Sequence, residues 1–185
     1  YLISLASNTL YYSVGGTTYT VIITTVDSRS QLEAASAFNK KWFPSSRQSF
    51  KWVGGATVES TVADFPEGPY IESHVNRLWV ANGSILSCSE FLNGDKWATG
   101  KKVTDPAQFT IGINDGDVIT WLVSYNNVLI IFKKYSTWAL YGVNQSDFQL
   151  KRIDEDNIGC IDGRTVKKKQ EKLYWTSARG IERME

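Results

Sequence analysis

The sequence predicts an all-β chain of about five short, similar units, on three observations. First, one phrase returns five times: an apolar strand, a polar corner usually built on Asn, an aromatic-rich strand, then a small-residue turn. The copies are 2–12 (LISLASNTLYY), 34–43 (AASAFNKKWF), 70–80 (YIESHVNRLWV), 120–130 (TWLVSYNNVLI) and 166–175 (VKKKQEKLYW). Second, the corner residues Asn8, Asn39, Asn76, Asn126 and Glu171 lie 31, 37, 50 and 45 residues apart, and periods of a few tens of residues mark stacked or circular architectures. Third, seven Trp, nine Tyr and eight Phe stand against one Met, a composition that suits pleated surfaces. A hairpin of this kind cannot bury its own faces, so the repeat implies copies packed beside it. The expected fold is a β-propeller of about five short blades, or a fragment of a larger one, with residues 1–185 as a single domain or part of one.

Taken in order, each copy should turn at its corner residue. In the first, the following segment Tyr12–Tyr19 resembles a degenerate Asp-box, the hairpin clasp of sialidase-like propellers, with Val14 in place of its Asp and Tyr19 in place of its Trp. That motif is structural in its home families and implies a blade, not a substrate. Before the second copy, Ser30-Gln31-Leu32-Glu33 reads as a helix capping box that Leu32–Phe38 could continue; the repeat alignment favours a strand there instead. In the third, Tyr70, Ile71 and Val75 supply a strand, Asn76-Arg77 the reversal, Leu78-Trp79-Val80 the return, and Asn82-Gly83 the next turn. In the fourth, Asn126-Asn127 separates Trp121–Tyr125 from Val128–Phe132, which is apolar on both faces as expected for a strand covered from two sides. Trp79, Leu129, Ile131 and Trp175 are expected in the core. The chain opens on Tyr1-Leu2-Ile3, already strand-like, and stops at Gly180–Glu185 where a further strand is expected, so it reads as a segment of a longer polypeptide or a ring closed by its two ends.

Charge and reactive residues narrow the function. Twenty Lys and Arg against nineteen Asp and Glu give no global basic field. One cluster, Arg164, Lys167, Lys168, Lys169 and Lys172, could face a polyanion; Glu171, Asp162 and Glu182 nearby support a solvated strand and turn. Cys88 and Cys160 share no ligand spacing with each other or with His74, so they read as buried small hydrophobes of a reduced, intracellularly assembled protein. Asn114–Asp117 and Asp154–Asn157 carry oxygen ligands without a calcium-loop spacing and read as turns. Asn82-Gly83-Ser84 and Asn144-Gln145-Ser146 fit the glycosylation pattern, which matters only in a secreted chain. No run approaches the roughly 18 apolar residues of a membrane span, and no leader is visible. A soluble protein is expected, with no metal or cofactor. Glu72 is the main acidic residue on the candidate inner strands, and a Ser-His-Asp triad would rest on His74 alone. Catalysis is therefore not expected.

The run Gly68–Ala81 (GPYIESHVNRLWVA), then Ser87-Cys88-Ser89-Glu90 and Trp97, resembles a blade common in bacteriophage tail and head–tail connector propellers. The runs 115–138 and 159–181 continue the likeness, which covers Gly68–Ile181. In such families the propeller is a structural module of tail hubs, nozzles and packaged-DNA stabilisation proteins. The resemblance implies a non-enzymatic component of a virion tail, assembled in the bacterial cytoplasm. Its partners would be other tail or connector chains and copies of itself, with contact to packaged DNA or a host surface glycan. Asn76, Arg77 and Glu90 then read as clasps between blade edges, because an Asn-Arg corner followed by Ser-Glu offers complementary partners. Two other readings stand beside this one. Trp42, Trp52, Trp97 and Trp138 could stack on sugars in a carbohydrate-binding propeller. A glycosidase would instead need paired channel carboxylates roughly 5–9 Å apart.

Overall fold

The computed structural model describes residues 2–23, 33–45, 49–55, 57–61, 64–154 and 156–185. They form five antiparallel sheets, each a meander in which sequence neighbours are sheet neighbours. The first holds β1 (Leu2–Ala6), β2 (Thr9–Ser13) and β3 (Tyr19–Ile23). The second holds β4 (Ala35–Ala37), β5 (Lys40–Phe43), β6 (Phe50–Gly54) and β7 (Thr57–Ser60). The third holds β8 (Tyr70–His74), β9 (Arg77–Asn82), β10 (Ile85–Cys88) and β11 (Ala107–Thr110). The fourth holds β12 (Ile119–Tyr125), β13 (Val128–Lys133), β14 (Thr137–Tyr141) and β15 (Gln149–Arg152). A 3₁₀ turn, Gly163–Thr165, leads into the fifth, with β16 (Lys167–Lys169), β17 (Lys172–Ser177) and β18 (Gly180–Met184). Among the described residues no helix is long and apolar enough to cross a membrane.

Each expected corner is a two-residue turn between the first two strands of its sheet. At Phe38-Asn39, Val75-Asn76, Asn126-Asn127 and Gln170-Glu171 both residues have positive φ, the requirement of a type I′ turn, whose twist matches that of the strands it joins. At the first corner Ser7 alone, of Ser7-Asn8, has positive φ, the type II′ pattern. The third corner corrects the sequence reading by one residue. The turn is Val75-Asn76, and Arg77 is the first residue of β9, paired with His74. The next turn moves likewise, to Gly83-Ser84, since Asn82 pairs with Ile85. Val75 holds a φ of 44° despite its branched Cβ, a costly conformation that the surrounding contacts must enforce. Of the capping-box segment, residues 30–32 lie outside the described residues; Ala35–Ala37 is strand, as the repeat alignment required.

Apolar side chains alternate along the second strands, and this alternation couples the sheets. On β9, Leu78 and Val80 join a buried cluster with Trp42 and Phe65 of the second unit, while Trp79 and Ala81 face Leu122, Leu129 and Ile131 of the fourth sheet. On β13, Leu129 and Ile131 look back to the third sheet, and Ile130 and Phe132 look forward to Leu173 and Trp175 of the fifth. Leu10, Ile22, Phe43, Phe50 and Trp52 join the first sheet to the second. Four buried clusters thus link the five sheets in sequence order. Trp79, Leu129, Ile131 and Trp175 are all buried, as expected. Gly163 passes so close to Trp121 that any Cβ there would overlap the indole, which fixes the approach of the fifth sheet to the fourth. Both cysteines are buried thiols whose pKa burial pushes up.

Candidate functional site

Two polar regions are built where sheets meet. The first lies along the leading strands, where β4, β8 and β12 run beside one another. Alternation on β8 turns Glu72 and His74 toward the fourth sheet, since they pair with Trp79 and Arg77, whose neighbour Ala81 faces the same way. His74 Nδ1 lies 2.8 Å from Ser124 Oγ of β12 and closes a cross-sheet hydrogen bond. Burial lowers the pKa of His74 to about 4, and the charge of Lys168 adds to the effect, so the ring is neutral at physiological pH. Glu72 accepts a hydrogen bond from Ser73 N at 3.0 Å. Burial raises its pKa, against opposing contributions from the Ser73 N–H, Lys168 and Ser124.

A serine hydroxyl bonded to a neutral imidazole supplies two members of a nucleophilic triad, and among the described residues no carboxylate meets the other ring nitrogen. His74 Nε2 is buried without a partner among the described residues. In a triad the base's second nitrogen is held by an orienting carboxylate. The pair acts here as a cross-sheet link. Because the folded pKa lies below the ordinary 6.5, the unfolded chain binds more protons between those values. The stability that His74 contributes is therefore complete above about pH 6.5 and lost progressively as pH falls toward 4. His74→Gln should flatten that part of the stability profile relative to the parent chain, as read by urea unfolding at several pH values; identical slopes would show that His74 titrates normally.

The second region surrounds Arg77, which is completely buried at the start of β9. It lies on the same face of β9 as Trp79 and Ala81. Its Nη1 donates to Ser89 O (2.7 Å) and Asp105 O (2.9 Å), and its Nη2 to Val103 O (2.8 Å). One guanidinium thus gathers the long connection from β10 to β11. The rings of Phe91 and Phe148 lie 5.9 and 5.8 Å from its centre, within cation–π range. From the fourth sheet, Gln145 Nε2 donates to Asp105 O (2.9 Å) and Pro106 O (2.8 Å), so the same connection is docked on the β14–β15 loop. A cavity of about 350 Å³ opens at this junction beside Arg77, Phe91, Val103 and Val143.

The three residues read as clasps separate in the structure. Glu90 does not meet Arg77; it accepts from Lys96 and Asn93, which hold its carboxyl below the usual range. Asn76 supplies the positive φ of the turn, and its carbonyl accepts from Leu92 N at 2.8 Å. The complementary pairing inferred from the Asn-Arg and Ser-Glu motifs is not made, because the donors of Arg77 are taken by carbonyls of the β10–β11 connection while the Glu90 carboxylate is taken by Lys96 and Asn93.

Of the basic cluster, Arg164 is tied to Asp162 by two bonds of 3.0 and 2.8 Å. Lys167, Lys168 and Lys169 are all exposed on β16, where strand alternation sends Lys168 to the face opposite the other two. The tryptophans considered for sugar stacking are core residues: Trp42, Trp52 and Trp97 are buried and Trp138 is half-buried against the cluster between the third and fourth sheets. Asp117 receives N–H groups of Val118, Lys134 and Tyr135 and the Ser136 hydroxyl, which makes the Asn114–Asp117 run a turn anchor. Asp154 accepts from Thr137 N and Arg152; its neighbour Glu155 lies outside the described residues.

Sequence reasoning missed Ser124, Phe91 and Phe148, whose roles depend on distant contacts. It also missed Lys133, which is fully buried and bonded to Asp115 (2.6 Å) and Ile111 O (2.9 Å). For Lys133 a signal existed: it continues the alternation of Leu129 and Ile131, and so points inward. No protein-family model matches the chain, and no curated protein matches it at a significant level.

Proposed function

We propose that the chain is a β-propeller, or a segment of one, that serves as a non-enzymatic structural component of a bacteriophage or prophage tail. The observation that carries this reading is the succession of five meander sheets, joined in order by four buried clusters, with the leading strands β4, β8 and β12 of the middle three side by side. Blades stacked about an axis place first strands together and leave only short edges, which suits a rigid part held at high local concentration in a particle. The polar groups support a scaffold as well. Arg77, Lys133 and Asp117 are spent on backbone carbonyls, a single carboxylate and turn amides. On the leading strands of the described residues Glu72 is the lone carboxylate, whereas glycoside hydrolysis uses two. Partners in this reading are other tail or connector chains and further copies of the chain, met through the loops at the ends of the sheets. Buried Trp42, Trp52 and Trp97 weigh against sugar stacking.

Deletion of the gene should leave filled or leaking heads without functional tails, and the purified chain should be inert toward common glycoside and ester substrates. Normal infectious particles from the deletion, or turnover abolished by Glu72→Gln, would overturn the assignment.

A further inference from the structure

Arg77 is a wholly buried cation that forms no ion pair among the described residues. Three carbonyls and two aromatic rings compensate it in part. A guanidinium has five N–H donors in a fixed fork. Nη1 and Nη2 spend three of them on Ser89, Asp105 and Val103. Nε is buried and has no partner. What remains is the Nε–H and one Nη2–H, and Nε and Nη2 share the edge of the group that receives a carboxylate side-on. An unpaired buried N–H on a charged group is costly, and its persistence beside a cavity points to an absent acceptor.

The surroundings specify what carries that acceptor. The cavity, of about 350 Å³, lies at the lower end of the range of ligand cavities, sized for the end of a chain and not for a large cofactor. Val75, Phe91, Val103 and Val143 give it a mostly apolar surface, with Asn76, Thr104 and Asn144 as the polar members beside Arg77. Val103 and Val143 are 51% and 53% exposed, and Leu92, whose amide is bonded to Asn76 at the cavity wall, is 61% exposed. Apolar surface therefore continues outward past the mouth, where a free small acid would leave it uncovered. Val75, in its strained positive-φ turn, forms part of the same wall; such strain concentrates at ligand sites.

We propose that this cavity receives the C-terminal carboxylate of a partner polypeptide whose last residues are aliphatic. The carboxylate sits on Nε and Nη2 of Arg77, and the final side chain packs on Val103, Val143 and Phe91. Phe91, half-buried over the guanidinium, turns aside to admit it. Affinity comes from neutralising a desolvated charge through charge-assisted hydrogen bonds, and specificity from the aliphatic rim.

The test is calorimetric titration of the intact chain with three probes: N-acetyl-valyl-leucine, its C-terminal amide, and isovalerate. The free peptide acid should bind saturably at millimolar concentration or below, with the amide and isovalerate each at least about tenfold weaker. Val143→Asp places a like charge at the mouth without touching the Arg77 bonds. It should keep the parent unfolding midpoint and lose the peptide acid by about tenfold or more. Equal binding of acid and amide would overturn the role of Arg77, and equal binding of isovalerate would overturn the assignment to a chain terminus. No saturable binding of the peptide acid, or binding unchanged in a folded Val143→Asp chain, would overturn the site itself.

Discussion

Arg77→Ala should destabilise the chain by about 3–5 kcal/mol, among the largest losses expected from a single substitution. Truncation strands three carbonyls, those of Ser89, Val103 and Asp105, that the guanidinium now satisfies. Each buried acceptor left without a donor costs about 1–3 kcal/mol, and water entering the space returns part of it. The β10–β11 connection also carries the docking contact with Gln145, so its release loosens the junction with the fourth sheet. Against a total stability of about 5–15 kcal/mol for a typical domain, the loss removes from about a fifth to all of the margin. Arg77→Lys keeps the charge but not the planar fork, and should fall between the two. Urea unfolding followed by tryptophan fluorescence measures both; a loss below about 1 kcal/mol for Arg77→Ala would mean that the three carbonyls find other donors.

Leu129→Ala should cost about 2–5 kcal/mol as a core truncation. Leu129 has no exposed surface and lies between Trp79 of the third sheet and Leu140 of its own. Its neighbour Ile130 points the opposite way, into the cluster shared with Leu173 and Trp175. Ile130→Ala should cost a similar amount through a different junction. The two changes adjoin in sequence but open separate cavities, so their effects should be close to additive, whereas Leu129→Ala with Trp79→Phe should not be. Denaturant midpoints of the single and double variants decide it. A loss below about 0.5 kcal/mol for Leu129→Ala would place β13 at the periphery of the fold.

The hairpins were legible in the sequence because a two-residue corner makes a local demand. Positive φ at both central residues favours Asn, and Asn39, Asn76, Asn126 and Asn127 meet it where the repeat placed them. The one-residue error at the third corner has a physical origin in Val75. A β-branched residue is among the least suited to φ of 44°, so local preference moved the corner to Asn76-Arg77. The bonds that Arg77 makes with the β10–β11 connection, and the bond from Leu92 to the Asn76 carbonyl, hold the turn where it is. The candidate site was less legible. Arg77 and His74 stood out as residues, but their partners Val103, Asp105 and Ser124 lie tens of residues away.

By itself the sequence determined the all-β class, the five hairpins, and the alternation that makes Val128–Phe132 apolar on both faces, because these follow from backbone preference and side-chain period within a few residues. Only the tertiary structure decided that Trp42, Trp52 and Trp97 are core and not surface, that Glu90 answers Lys96 and not Arg77, and that His74 closes on Ser124. The burial of the tryptophans and the His74–Ser124 bond depend on how one sheet is set against the next, whereas the Glu90–Lys96 pair depends on how the β10–β11 connection folds back on itself. That setting comes from side-chain packing and from Gly163 against Trp121, contacts between residues whose separation along the chain carries no local signal.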